Sequence, residues 1–175
     1  NFLKIIMEKI KFGTDGWRAI IADEYTVDNV ACVSMATAEW VKKNFENPSI
    51  VIGHDCRFQG ELFVETAVKV FVSQGIAVKM AKGFVSTPMV SLAAVKKNCS
   101  LGVVITASHN PKTYNGYKVY NQTGAQLTLE EADQVIHLMN QIEDLFRIKT
   151  TNDAHIHMID EAMDQMYLAE VKKIG

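Results

Sequence analysis

The sequence predicts an α/β fold, a three-layer αβα domain with a mostly parallel mixed sheet and an antiparallel hairpin at its edge. Short apolar runs rich in β-branched residues alternate with segments of helical spacing between residues 27 and 105, which is typical of βαβ units. These runs are apolar on both faces, as in parallel strands that helices cover on both sides. A chain of 175 residues also has the length of a single domain of this class.

The chain begins with two short strands that flank a glycine turn. Lys9–Thr14 and Trp17–Ile21 carry the strand pattern. Gly13 and Gly16 lie between them and reach positive φ angles at little cost. The segment therefore predicts a tight turn early in the chain.

Helices and buried strands then alternate. Thr26 is the predicted N-cap of the first helix, and Gly75 is the predicted C′ residue of the second. Thr87 and Pro88 are typical of the N-cap and N1 positions of the third helix, which Asn98 ends. The helices are expected at 27–46, 61–74 and 88–97, and the strands at 49–53, 76–81 and 101–105.

The pattern changes after residue 105. Two turn dipeptides, Asn115-Gly116 and Thr123-Gly124, enclose the short strand Tyr117–Tyr120. Ala125–Leu127 is its expected partner. We therefore expect an antiparallel hairpin at the edge of the sheet.

Two more helices and a connection complete the chain. Thr128 and Glu131 form a capping box for a long helix that runs to about Phe146. Residues 147–159 are expected to be a linker, and Asp160 is expected to cap a final helix. Five side chains of that helix fall at core spacing: Met163, Met166, Tyr167, Val171 and Ile174.

Composition and charge exclude several classes of protein. Hydrophobic residues make up 48% of the chain and charged residues 22%, so the composition is that of a folded domain. The net charge is −2, and without a dense basic block a nucleic-acid partner is not expected. No apolar run reaches the roughly 18 residues of a membrane span. Cys32, Cys56 and Cys99 are odd in number and widely spaced, which favours a reducing, cytoplasmic location.

Polar side chains collect directly after the buried run 101–105. Thr106, Ser108, His109 and Asn110 follow one another in the segment LGVVITASHNP. In open α/β sheets ligands bind at the carboxyl ends of strands, and a hydroxyl, an imidazole and an amide can carry, move or orient reacting groups. From these residues alone, the simpler interpretation is a plain turn in which serine and asparagine bond their own backbone.

Other catalytic classes fit these residues less well. A serine hydrolase would need the pattern G-x-S-x-G, but positions 106 and 110 hold threonine and asparagine. A phosphate-binding loop of the G-x-x-x-x-G-K type does not occur in the sequence. Hydrolase chemistry therefore stays the weaker alternative.

Four motifs together resemble the α-D-phosphohexomutase family, which contains phosphoglucomutases and phosphomannomutases. TASHNPKTYNGYKVY, residues 106–120, is similar to the active-serine loop of that family, and FGTDGWR, residues 12–18, to its opening segment. GHDCR, residues 53–57, resembles the G-x-D-x-R turn, and STP, residues 86–88, a later T-P turn. Ala19 departs from the family, which commonly has glycine after the arginine.

The resemblance implies roles for individual residues. Ser108 would carry a phosphoryl group and pass it to the hydroxyl of a hexose phosphate, with a bisphosphorylated sugar as intermediate. Lys118 would be a general acid/base or a charge stabiliser, and Arg18 would bind the phosphate. His109 would either take part in catalysis or hold the loop.

Further contacts and cofactors are also implied by the resemblance. Thr14 and Asn110 would contact phosphate or sugar, whereas Asp55 and Arg57 are expected to form a structural pair or a cap. Mg²⁺ would bind an oxygen of the phosphate on Ser108, with its carboxylate ligands supplied from elsewhere. A sugar bisphosphate such as glucose 1,6-bisphosphate would phosphorylate Ser108.

The family consists of four-domain enzymes, so the resemblance implies that this chain is the first domain. Residues 1–8 would be a leader or a cloning remnant, 9–146 the domain, and 147–175 a linker and final helix leading towards a second domain. The partners would be a hexose phosphate and the remaining domains of the enzyme. The isolated chain is expected to be inactive, and a non-catalytic binding module is the alternative function.

Overall fold

The computed structural model describes residues 10–142 and 156–174. Six strands lie in these residues: β1 (Trp17–Ile20), β2 (Ser49–His54), β3 (Ala77–Phe84), β4 (Leu101–Ile105), β5 (Tyr114–Asn121) and β6 (Ile156–Ile159). Five helices accompany them: α1 (Val27–Asn44), α2 (Gly60–Ser73), α3 (Thr87–Lys96), α4 (Leu129–Met139) and α5 (Glu161–Val171). The predicted α/β class is confirmed.

The strands form one mixed sheet in the order β1-β5-β4-β2-β3-β6. β4, β2, β3 and β6 run parallel to one another, with Ile50 opposite both Leu101 and Val78. β5 is antiparallel to β4 on one side and to the edge strand β1 on the other. The carboxyl end of β4 therefore lies inside the sheet, flanked by β2 and β5.

Helices cover both faces of the sheet and complete the three layers. On one face α1, α2 and α4 bury a large cluster that includes Phe63 and Phe71 of α2. On the other face α3 and α5 enclose a smaller cluster around Val90 and Met163. Strands β2 and β4 are buried along almost their whole length because they lie between the two clusters, as expected for strands covered on both faces.

Several predicted helix signals are confirmed. Thr26 accepts a hydrogen bond from the backbone N–H of Asn29 at the start of α1, and Thr128 and Glu131 form the capping box of α4. Gly75 has a φ of 75° and Asn98 a φ of 50°, and both follow the ends of helices.

The glycine turn is present, but the first predicted strand is not. Gly13 and Gly16 exchange two backbone hydrogen bonds of 2.9 and 3.0 Å, so Thr14 and Asp15 form the tip of the turn. Residues 10–12 before it lie in no strand, and Lys9 lies outside the described residues.

The prediction that Asn115-Gly116 is a turn is wrong. Both residues lie inside β5 and pair with Ala19 and Arg18 of β1. The antiparallel pairing at the sheet edge is confirmed, but the partners of β5 are β1 on one side and β4 on the other. Gln126, in the segment expected to pair, makes one bridge to Tyr120.

The connection after α4 also differs from the prediction. Residues 156–159, assigned to the linker, form β6 beside β3. The pattern I-H-M-I gave little strand signal because burial does not alternate along it: Ile156 and Ile159 are half-buried, and His157 and Met158 between them are both exposed. α4 ends at Met139 rather than near Phe146, and residues 143–155 lie outside the described residues.

The ends of α3 and α5 need two smaller corrections. Ser86, not Thr87, is the N-cap of α3, which places Pro88 one position further into the helix. Asp160 caps α5 as predicted, because its side chain accepts from Ala162 N–H. Of the five apolar side chains at core spacing, only Met163 is buried, and Val171 and Ile174 are exposed. In the described ranges, no helix combines the length and the apolar character that a membrane span requires.

Candidate active site

Ser108 lies on a short loop at the carboxyl end of β4, which we call the serine loop (Thr106–Pro111). The Ser108 side chain is exposed, whereas Thr106 and Ala107 before it are buried. Its φ of 55° lies in the left-handed region, which costs a non-glycine residue about 1–2 kcal/mol. The Ser108 N–H donates to Thr106 Oγ1 at 3.0 Å, and the Asn110 N–H donates to the Ala107 carbonyl at 3.0 Å.

Arg57 binds the backbone of the serine loop and its continuation at four points. Nη1 donates to the carbonyls of Pro111 and Tyr114, both at 2.9 Å. Nη2 donates to the carbonyls of Ser108 at 2.8 Å and Asn110 at 2.7 Å. Hydrogen bonds from a charged donor are stronger than neutral ones. Arg57 therefore stabilises the conformation that presents Ser108 to solvent.

Asp55 connects Arg57 to the beginning of the loop. Asp55 Oδ1 accepts from the Arg57 backbone N–H at 3.0 Å, and Oδ2 lies 3.5 Å from Arg57 Nε. Oδ2 also accepts a hydrogen bond from the Thr106 hydroxyl. The expected structural pair of Asp55 and Arg57 is thus present. This pair is connected to Ser108 through Thr106, because Thr106 Oγ1 accepts from the Ser108 N–H.

Two cations meet beside the serine loop at the carboxylate of Asp15. Asp15 Oδ2 forms an ion pair with Arg18, and Oδ1 accepts from Lys118 Nζ at 2.7 Å and from Gln126 Nε2 at 2.8 Å. Arg18 Nη1 donates to Asn110 Oδ1 at 3.2 Å. Arg18 therefore joins the loop to Lys118 through Asp15. The Asn110 amide bonds this arginine, not its own backbone as a plain turn would have it.

Burial changes the titration of the side chains in this cluster. Lys118 is 8% exposed, and its pKa lies below the ordinary value of 10.5 because of desolvation and then the charge of Arg18. The pKa of Tyr120 is raised, mainly by burial, while its hydrogen bond with Gln126 and the charge of Arg18 oppose that change. Burial is thus the main cause of both shifts, and the charge of Arg18 acts to lower the pKa of both groups.

Two glycines let the strands approach closely enough to form the site. A Cβ at Gly116 would lie 2.4 Å from the Thr106 carbonyl oxygen and 3.0 Å from Arg18 Cγ. At Gly16, where φ is 81°, a Cβ would lie 2.0 Å from the Tyr117 carbonyl oxygen. The two contacts with carbonyl oxygens are shorter than real Cβ contacts. These positions bring Arg18 and the glycine turn against β5.

Comparison with known proteins gives the same grouping. A family model described as "Phosphoglucomutase/phosphomannomutase, alpha/beta/alpha domain I" matches residues 9–146. The chain belongs to this family. A phosphoglucomutase of Staphylococcus saprophyticus is 31% identical over 94% of the chain and 32% of its own length. A phosphomannomutase of Mycoplasma genitalium is 35% identical over 96% of the chain and 32% of its own length.

Solved structures of the phosphoglucomutase/phosphomannomutase family have the same fold. A structure from Thermus thermophilus, assigned as a phosphomannomutase, has a TM-score of 0.83 and 28% identity over 94% of the chain and 36% of that protein. A Paramecium phosphoglucomutase has a TM-score of 0.73 at 20% identity, over 91% of the chain and 34% of that protein. The chain thus spans about a third of the length of these relatives.

The structure brings most of the site residues predicted from the family motifs into one region. Arg18, Asn110 and Lys118 belong to one network, and Ser108 lies on the loop that Asn110 closes. His109 is exposed next to Ser108. Their roles in the reaction stay predictions.

The remaining candidate and the departure from the family motif are also placed. Thr14 is half-buried at the tip of the glycine turn, beside Asp15. Ala19 lies in β1 opposite Asn115 and is not among the residues with positive φ. A Cβ at this position therefore does not disturb Arg18.

Sequence reasoning missed Asp15 and Gln126 and underestimated Arg57. The signal for Asp15 was available, because it lies inside FGTDGWR three positions before Arg18. Gln126 had no local signal, since it meets Asp15 only through the tertiary fold, 111 positions away. The four bonds of Arg57 likewise join segments more than 50 positions apart.

The residues around Ser108 do not by themselves fit a Mg²⁺ site. In residues 10–142 and 156–174, no group of three or more His, Cys, Asp or Glu side chains is placed to hold a metal ion. The nearby carboxylates, Asp15 and Asp55, are already bonded to Arg18, Lys118 and Arg57. Mg²⁺ prefers several oxygen ligands in an octahedral arrangement, so further ligands would have to come from outside this cluster.

Proposed function

We propose that this chain is the phosphoserine-bearing first domain of a phosphohexomutase. The reaction would interconvert hexose 1-phosphate and hexose 6-phosphate through a bisphosphorylated sugar. One observation carries the proposal: Ser108 is an exposed serine on a loop held by Arg57, and the same loop contacts a cluster of Arg18 and Lys118. Membership of the phosphoglucomutase/phosphomannomutase family supports the substrate class.

Phosphoryl transfer depends mainly on positioning and on charge neutralisation, and this site offers both. The phosphoserine P–O bond to Ser108 Oγ breaks as a sugar hydroxyl oxygen bonds phosphorus. The serine oxygen then accepts the other phosphoryl group of the bisphosphorylated sugar. Arg18, a planar donor, suits the phosphate oxygens, while Lys118 stabilises charge or moves the proton of the sugar hydroxyl.

The cofactor and the activator in this proposal are those that the resemblance to the family implies. Mg²⁺ would supply further charge neutralisation at the phosphate on Ser108, and a sugar bisphosphate of the glucose 1,6-bisphosphate type would load the serine. His109 is exposed beside Ser108, where it is available either for proton movement or for holding the loop. We place the rest of such an enzyme, including the carboxylates for Mg²⁺, outside this chain.

A chimeric enzyme tests the role of Ser108. This chain would replace the corresponding third of the Staphylococcus saprophyticus phosphoglucomutase, and interconversion of glucose 1-phosphate and glucose 6-phosphate would be measured. Ser108→Ala should abolish turnover. Ser86→Ala is the matched control, because Ser86 is also exposed and its hydroxyl caps no backbone group. Full activity of the Ser108→Ala chimera would refute the proposed role.

A non-catalytic binding module remains the second candidate for the chain on its own. It is favoured by the chain's coverage of about a third of its relatives and by the unsuitable donor set for Mg²⁺ among the described residues. The isolated 175 residues should show no interconversion of glucose phosphates in the presence of Mg²⁺. Measurable turnover that depends on Ser108 would contradict this expectation.

A further inference from the structure

Asp15 bonds three side chains of the site, and no role has yet been assigned to it. Its two carboxylate oxygens bond Arg18, Lys118 and Gln126, which lie on β1, on β5 and after β5. The Asp15 side chain is 52% exposed, whereas that of Lys118 is 10% exposed. A half-exposed carboxylate thus faces a nearly buried ammonium group.

The charges in this cluster are unequal. Arg18 and Lys118 bring two positive charges, and Asp15 brings one negative charge. A buried ammonium without a counter-ion is costly, so Asp15 keeps Lys118 charged while no other anion is near. One positive charge remains without a carboxylate partner in this cluster, and the cluster therefore favours a second anion.

The serine loop is where that anion would arrive. Arg18 already reaches the loop through Asn110 Oδ1 at 3.2 Å, two positions from Ser108. A phosphate on Ser108 would carry a charge of about −1.5 to −2 and three strong acceptor oxygens. Such a group competes well with a single carboxylate for the same donors.

The local fold allows Asp15 to leave the cations. Asp15 lies at the tip of the turn that Gly13 and Gly16 close with backbone hydrogen bonds of 2.9 and 3.0 Å. Its own side chain can rotate into solvent while those backbone bonds persist. The backbones of Arg18 and Lys118, in contrast, are paired within the sheet.

We propose that Asp15 is the resident counter-ion of Arg18 and Lys118, and that a phosphate on Ser108 displaces it from both cations. The inference rests on the proposed function, because it assumes that Ser108 carries phosphate. Asp15 is then a positioning residue: it keeps the two cations charged and in place when the serine is free. When the serine is phosphorylated, Asp15 no longer pairs with Arg18 and Lys118.

The test measures the protonation of Lys118 in two forms of the 175-residue chain. One form has Ser108, and the other has phosphoserine incorporated at position 108 during translation, so no enzymatic activity is needed. The titration of Lys118 Nζ is followed by ¹⁵N NMR. Besides Asp15, the charged and titratable side chains that influence this region are Arg18 and Tyr120.

In the Ser108 form, Asp15→Asn should lower the pKa of Lys118. Removing an opposite charge at contact distance should raise the neutral fraction of the amine about tenfold at a given pH. Asp15→Glu keeps the negative charge and should keep the pKa of Lys118 close to its value with Asp15. Asp23→Asn, an exposed carboxylate outside the cluster, is the matched control and should leave Lys118 unchanged.

In the phosphoserine form, Asp15→Asn should change the titration of Lys118 little, because the phosphate has replaced the carboxylate. Equal effects of Asp15→Asn in the two forms would overturn displacement, and no effect in the Ser108 form would overturn the counter-ion role. Neither result bears on whether Ser108 transfers phosphate, which the chimera decides. Failure of the inference and failure of the proposed function are therefore separable.

Discussion

Replacing Arg57 with lysine should loosen the serine loop without removing the positive charge. The guanidinium donates to four backbone carbonyls at 2.7–2.9 Å, and its side chain is only 14% exposed. A lysine ammonium is a compact charge on a flexible stem and lacks the planar fork of donors. Arg57→Lys therefore tests the geometry of these bonds rather than the charge.

The expected magnitude follows from the burial of the acceptors. The bonds to Tyr114 and Asn110 are part-buried, and those to Ser108 and Pro111 are exposed. Water can replace the exposed bonds. Counting only the two part-buried bonds at the low end of roughly 1.5–3 kcal/mol each gives about 3 kcal/mol. At about 1.4 kcal/mol per factor of ten, opening of the loop should become about 100-fold more frequent.

Native-state hydrogen exchange measures this opening directly. The backbone N–H groups of Ser108, Asn110 and Tyr114, which all bond within the loop region, should exchange about 100-fold faster in Arg57→Lys. Lys69→Ala is the control: its ion pair with Glu65 is exposed, and it should leave these rates unchanged. Unchanged exchange in Arg57→Lys would refute the conclusion that Arg57 holds the loop.

Three further predictions concern the glycine turn, α5 and the cation cluster. Gly16→Ala should destabilise the protein by about 3 kcal/mol in denaturant unfolding, because of the left-handed backbone and the clash with a β5 carbonyl. The control is Gly75→Ala, which has a φ of 75° but open space around it and should cost only about 1 kcal/mol. Equal losses of stability in the two variants would contradict the close approach of Gly16 to β5. Met163→Ala should cost about 2–5 kcal/mol because the side chain is 1% exposed, whereas Met158→Ala, 55% exposed, should change stability by less than about 0.5 kcal/mol; a small loss at Met163 would show that α5 does not pack as described. The pKa of Lys118 is lowered from 10.5, so the unfolded chain binds the proton of Lys118 more tightly than the folded chain does. The free energy of unfolding of the unmutated chain, compared with that of Lys118→Met, should therefore rise as the pH approaches 10.5. A fall would contradict the direction of the pKa shift.

The sequence predicted the parts of the fold that local patterns determine. The caps at Thr26 and Thr128, the glycine at position 75 and the buried runs that became β2 and β4 all act within a few residues. Hydrophobic period and capping chemistry report such local preferences. The α/β class follows from them.

The errors arose where tertiary partners decide the conformation. Asn115-Gly116 has the composition of a turn, but it lies in β5 because Gly116 lets β1 and the serine loop approach closely. Residues 156–159 show little alternation, and they become a strand only because β3 offers a free edge. A single sequence carries no local signal for either partner.

The motifs predicted the residues of the candidate site, but they did not predict the hydrogen bonds and ion pairs that connect those residues. FGTDGWR and TASHNPKTYNGYKVY identified Ser108, Lys118 and Arg18, but not that Asp15 joins the two cations. G-x-D-x-R identified Arg57, but not its four bonds to the serine loop. Side chains that meet across 50 or more positions depend on the register of β1, β5 and β4, which only the folded chain provides.

Ser108 is proposed to present a phosphate to Arg18 and Lys118, and ³¹P NMR of the chain with phosphoserine at position 108 measures this most directly. The second pKa of a free phosphoserine is about 6. Two nearby cations favour the dianion, so the phosphate in the folded chain should titrate at lower pH than in the same chain unfolded in urea. An unchanged or higher midpoint in the folded chain would contradict a cationic phosphate site at Ser108.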